Sequence, residues 1–270
     1  MKVARLAVVG LLVVFLGAGA AWAASDSAPC EAPDEAAGVV AALPHVAAAL
    51  KPGSILDVLA VGSATLFGPE ASFPLGPSAP RSGNPPPAQI ITAEPSPLAF
   101  PNQMAKDLEQ AVPGSQVHLT VRGGRGLSAA EMLEVIRSEL AQHPYQLVLW
   151  QTGTVEAVRN SPPGEFAQIL SDGAEAVQAA NADLVLVDPQ FSRFLQTNSN
   201  LDPYEQALQQ VSSMPDVLLF RRFDLMRSWV NDGLIDLERT PKANRKQVVE
   251  ALHACLGAHL ARMVLGGARS

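Results

Sequence analysis

Residues 55–68 read ILDVLAVGSATLFG, an apolar run of strand length that stops at a turn of small residues, Gly62-Ser63-Ala64-Thr65. A strand that is apolar throughout, rather than alternating, is buried on both faces, as in a parallel sheet covered by helices on either side. Small residues at its carboxyl end sit where open α/β sheets place their binding crevices. Working outward, four further short apolar runs follow at 116–121, 146–150, 183–187 and 217–220, separated by segments with helical periodicity. This alternation predicts a three-layer α/β/α fold around a five-stranded parallel sheet in the flavodoxin-like order, with the first strand central. Helices are expected over 100–112, from the Ser128-Ala129-Ala130-Glu131 capping box to about 141, over 164–181, and after Asp202-Pro203. The C-terminal part, through Met226 and Trp229 and then from Pro241 to about Val264, also reads as helical.

Two stretches interrupt the pattern. Residues 34–50 are rich in alanine, with Val39, Val40, Leu43, Val46 and Leu50 near helical spacing and Pro44 breaking it, which predicts a short helix or two. Between Pro69 and Pro101 the prolines are too dense, including Pro85-Pro86-Pro87, for regular helix or sheet. That insertion reads as a long extended excursion beside the crevice, either a lid or a tolerated surface loop. The glycine-rich Arg122–Leu127 stretch reads as a turn between strand and helix able to cradle an anion at the helix N-terminus. It lacks the spacing of a P-loop or a dinucleotide fingerprint, so no nucleotide or other cofactor is expected.

The first 23 residues carry Lys2 and Arg5, an apolar run to Ala21, and Ala21-Trp22-Ala23 as a small-x-small cleavage site. They read as a secretory signal peptide, the alternative being an uncleaved anchor; no later stretch reads as a bilayer span. The domain plan is then a signal peptide at 1–23, an N-terminal segment at 24–54 and one α/β domain at 55–270. In an exported chain the only two cysteines, Cys30 and Cys255, predict a disulfide tying the two ends together, the alternative being two buried thiols. With 19 basic and 26 acidic side chains and no basic cluster interleaved with aromatics, the chain is no nucleic-acid binder.

The Gly62-Ser63-Ala64 turn resembles the first block of the SGNH or GDSL hydrolases, Gly-Asp-Ser-Leu, whose serine is the nucleophile. The resemblance runs from Ile55 to about Ala261 and includes the Asp188-Pro189-Gln190 and Phe220-Arg221-Arg222-Phe223 segments, which look like those of secreted bacterial members. In such enzymes the serine attacks an ester, a glycine N–H and an asparagine hold the oxyanion, and an Asp-x-x-His motif supplies the base. Here Ala64 stands at the nucleophile position. The second block keeps Gly126, and the third reads Gly153-Thr154-Val155-Glu156, with Val155 in place of the oxyanion asparagine. Glu250-Ala251-Leu252-His253 has the spacing of the last motif but lies inside a helical stretch.

The resemblance implies a crevice at Gly62, Ser63, Ala64, Gly126, Thr154, Val155 and Glu156, with no metal and no cofactor. Three readings follow. The first is a periplasmic or secreted SGNH-fold protein that has lost hydrolysis and serves binding or assembly. The second is an active carbohydrate or lipid esterase using displaced groups, Ser63 as nucleophile with His253 or another histidine as base. The third is an accessory partner in envelope polysaccharide modification, taking a polysaccharide or an acylated small molecule. Trp150 and Trp229 are too few and too apolar in context to form a sugar platform.

Overall fold

The computed structural model describes residues 30–31, 41–69 and 88–270. The run at 55–68 forms β1 (Ile55–Ser63), flanked by β3 (Gln116–Arg125) and β4 (Leu147–Gln151), both parallel to it. Beyond β4 lie β5 (Asp183–Val187) and β6 (Val217–Phe220), also parallel, so these five strands take the flavodoxin-like order. Because β1 is interior, its side chains split between two cores. Leu56, Val58 and Ala60 pack into one, Leu59 and Val61 into the other, which is why the strand is apolar without alternation.

The first core is closed by α1 (Pro44–Ala49), α2 (Phe100–Ala111), α8 (Arg222–Asn231) and α9 (Arg245–Arg269). The second is closed by α3 (Ala129–Leu140), α5 (Pro163–Ala179) and α7 (Asp202–Val211). The Ser128–Glu131 capping box opens α3 as the sequence predicts. Two short helices, α4 (Thr154–Arg159) and α6 (Arg193–Asn198), lie where the sequence pattern assigns no element.

Four expectations need correction. A sixth strand, β2 (Gln89–Ile90), leaves the proline-rich insertion and pairs antiparallel with the end of β3, through Arg125 and Gly124. It is edge pairing, where a proline-rich neighbourhood costs no ladder bond. The glycine-rich stretch is mostly strand, not an anion cradle. A Cβ on Gly123 would lie 1.9 Å from the Gly62 carbonyl oxygen, and one on Gly124 would lie 1.8 Å from that of Gln89. These glycines let three backbones meet. Pro44 opens α1 rather than breaking a helix, because its fixed φ suits the first helical position. Finally, residues Lys242–Arg269 are long and apolar enough to cross a membrane by length and composition, but most of that helix is buried against the sheet as a core helix.

Cys30 and Cys255 are disulfide-bonded, with Cα atoms 4.9 Å apart. The chain end is held further by Trp229 Nε1 donating to the Glu31 carbonyl and by His259 Nε2 against the Cys30 carbonyl. The expected signal peptide, residues 32–40 of the N-terminal segment and residues 70–87 of the insertion lie outside the described residues.

Candidate functional site

The crevice lies at the carboxyl end of the sheet, where β1, β3 and β4 all finish. A 3₁₀ turn, Ala64–Phe67, begins directly after β1 and is capped by the Ser63 side chain. Gly62 is required there, since a Cβ would fall 2.7 Å from the Cβ of Gln151 on the neighbouring strand. That close approach brings the Gln151 amide, at the end of β4, onto the Ser63 and Thr65 hydroxyls.

These groups form one partly buried polar knot with Arg222, the first residue of α8. The amide orientation that satisfies every group turns Gln151 Oε1 toward the guanidinium. Oε1 then accepts from Arg222 Nη1 and Nη2 at 3.1 and 3.2 Å, from Ser63 Oγ at 2.7 Å and from Thr65 Oγ1 at 2.9 Å. Arg222 is 2% exposed, Nη1 lies 3.4 Å from Thr65 Oγ1, and its Nε has no hydrogen-bond partner among the described residues. Burial pushes its pKa down to about 10, so it is still a cation at neutral pH. Asp188, at the end of β5, is the nearby carboxyl. It accepts the Phe223 N–H at 2.9 Å, and burial holds its pKa well above the usual carboxylate range. The two form no ion pair within 4.0 Å.

His253 sits in α9 on the far wall. Its Nδ1 accepts the Phe100 N–H at 3.1 Å, and burial, then the charge of Arg222, push its pKa down to about 4. It lines a cavity of 390 Å³ with Thr65, Arg222 and an apolar wall that includes Phe100, Met226 and Leu256. A ring accepting at Nδ1 in its neutral form carries its proton on Nε2, which suits a donor rather than a base.

The remaining crevice residues are structural ties. Glu156 is buried and spans two elements, accepting the Ala129 N–H at 2.6 Å and the Gly153 N–H at 3.2 Å. Its carboxylate thus joins the N-termini of α3 and α4, and Arg159 adds a bond to the Gly126 carbonyl at 2.9 Å. Thr154 and Val155 occupy the first turn of α4, and Ala64 is buried. A carboxylate–histidine pair, Asp57–His118 at 3.3 Å, lies at the opposite end of β1, about 20 Å along the strand from Ser63. Between α8 and α9, where the resemblance places an Asp-x-x-His motif, residues 232–244 contain no histidine. Both Trp150 and Trp229 are fully buried, so neither stacks on a sugar.

Sequence reasoning missed Gln151, Thr65 and above all Arg222. The available signal was a pair of arginines, Arg221 and Arg222, set between the core residues Phe220 and Phe223 at a strand-to-helix junction, a pattern that does not say which of the two is buried.

This sheet order, with a polar knot where β1 and β4 end, defines an SGNH/GDSL-like hydrolase fold. The profile of the Non-GDSL lipase-like family matches residues 29–270, and the chain belongs to that family. Solved structures agree on the fold. A two-domain esterase active on acetylated mannans is 12% identical, with a TM-score of 0.53, over 83% of this chain and 51% of that one. An acetyl-xylooligosaccharide esterase from Geobacillus is 13% identical, with a TM-score of 0.51, over 80% and 95%. A lipase/acylhydrolase from Enterococcus faecalis is 11% identical, with a TM-score of 0.50, over 77% and 94%. No curated protein matches the chain in sequence.

Proposed function

We propose that this is an exported SGNH-fold protein that binds an acyl ligand without hydrolysing it. The observation that carries the reading is the turn after β1. Ala64 offers no nucleophilic atom, and the one neighbouring serine, Ser63, has its hydroxyl hydrogen-bonded to Gln151 rather than to a base. A serine esterase needs a nucleophile within hydrogen-bond reach of a base. His253 accepts a backbone N–H at Nδ1, and no histidine lies between His143 and His253, where the Asp-x-x-His motif should fall. Loss of one oxyanion donor alone costs roughly 2.7–4 kcal/mol of transition-state stabilisation, and here the donor, base and nucleophile positions have all changed.

Export is supported by the basic start, the apolar run to Ala21 and the disulfide, since such bonds persist in oxidising compartments. A role beside envelope polysaccharide modification has the support of fold neighbours that act on acetylated glycans. The cavity walls favour recognition of the acyl part over the sugar.

The purified protein is tested with a chromogenic acetate and octanoate and with a serine-directed phosphonate. No burst, no steady turnover and no covalent adduct are expected, and Ala64→Ser alone should restore little because the missing groups act as a unit. Turnover that disappears in Ser63→Ala would establish the displaced-residue esterase instead.

A further inference from the structure

The 390 Å³ cavity lies within the size range of small-molecule sites, about 300–1,000 Å³, and its walls are mainly aliphatic and aromatic. One feature is foreign to a purely apolar pocket. Arg222 lines it while 2% exposed, and its hydrogen-bond partners among the described residues, Gln151 and Thr65, are neutral. Among the described residues no carboxylate lies within 4.0 Å of this guanidinium; Asp188 acts on it only from farther away, with burial holding that carboxyl's pKa well above the usual range, so the cation is costly to keep and is placed to meet a ligand. The other charged groups on the lining do not cancel it. Glu238 is engaged by Arg193 at 3.3 Å and by Ser192 at 2.7 Å, and Arg245 adds a second cation at the wall.

We propose that this cavity holds a free aliphatic carboxylic acid, its carboxylate toward Arg222 and its chain among Phe100, Met226, Leu252 and Leu256. The proposal rests on the non-hydrolytic reading above and names the ligand class of the same site. The guanidinium supplies what the carboxylate needs, a fixed planar cation able to give charge-assisted hydrogen bonds. The hydrocarbon chain replaces water along the apolar wall. An ester or alcohol of the same chain gains only the second term.

Calorimetric titration of the full protein at pH 7.5 with sodium octanoate, octan-1-ol and sodium acetate tests this. Octanoate should bind at least about tenfold more tightly than octanol, and acetate should show no saturable binding at millimolar concentrations. In Arg222→Met, which replaces the cation by an apolar side chain of similar length, octanoate affinity should fall to the octanol level. In Leu256→Trp, which fills the cavity, both ligands should be lost. Equal octanoate and octanol affinity in the wild type would overturn the proposal without reference to any variant. So would undiminished octanoate binding by Arg222→Met, or no octanoate binding at all. The failure of the underlying reading looks different. Turnover of an octanoyl ester, with octanoate as a competitive inhibitor, would restore an enzyme while keeping the carboxylate site as its product site.

Discussion

Burial of His253, followed by the charge of Arg222, places its folded-state pKa near 4 against an ordinary value of 6.5. The fold therefore prefers the neutral ring. The stability this gives is fully present above about pH 6.5 and is lost as the pH falls toward 4, by an amount on the order of 3 kcal/mol. Asp188, Asp183 and Glu205 work the other way, since burial raises their pKa values and acid favours their folded, protonated forms. The wild-type profile mixes both signs, so the measurement is a difference. Denaturation of wild type and His253→Gln between pH 4 and 7.5 should show the gap between them closing as acid is added. A constant gap would show that His253 does not titrate in this window. The same scale explains what the sequence withheld. Arg221 and Arg222 are adjacent and chemically identical, yet the side chain of Arg221 is 45% exposed whereas Arg222 is buried. Only the angle at which α8 leaves β6 decides which of the two enters the core, and no local pattern encodes that angle.

Elements were legible where the hydrophobic period is long and uninterrupted, as in the five parallel strands, α3 and α5. They were misread where glycine or proline serves a neighbour rather than its own turn. Gly123 and Gly124 resemble a loop by composition, but they are ladder residues that a crossing backbone forces to be small. The helix pair α2 and α9 depends on the same device. Gly257 lies in the middle of α9, where glycine costs about 1 kcal/mol of helix propensity relative to alanine. A Cβ there would stand 2.4 Å from the Cβ of Gln103 and 2.9 Å from the Phe100 carbonyl oxygen on α2. Because one obstacle is backbone, the clash wins, at about 1–3 kcal/mol of overpacking before the propensity gain is subtracted. Gly257→Ala should therefore lower the urea midpoint, with a net loss on the order of 1 kcal/mol, and Gly257→Val should lower it further. A stabilised Gly257→Ala would mean that α2 yields easily. Such a shift would move the cavity wall, because the Phe100 N–H donates to His253 Nδ1.

At the scale of the molecule, the two ends of the described chain meet on the layer that carries α9. The disulfide spans a sequence separation of 225, and loop-closure arithmetic for a ring of that size gives about 5 kcal/mol as the entropic limit. Other bonds hold the same end. Leu43 N–H donates to the Gly267 carbonyl at 2.9 Å, and the Asp183 carboxylate accepts the Val46 N–H at 2.8 Å. Those bonds keep α1 docked in the folded state but do nothing to restrict the unfolded chain, so they cannot replace the crosslink. The double variant Cys30→Ser with Cys255→Ser should fold and lose about 2–5 kcal/mol by urea denaturation. Denatured, unreduced wild type should show no thiol that can be labelled. The loss should also reach the site. Cys255 falls in α9 between His253 and Leu256, which both line the cavity, and the Trp229 ring lies 5.5 Å from that of His259, tilted by 58°. Tryptophan fluorescence should then report loosening of residues 30–31 at lower urea than the global transition, because Trp229 Nε1 donates to Glu31. An unchanged midpoint in the double variant would show that the packed N-terminal segment, and not the covalent closure, secures this face of the sheet.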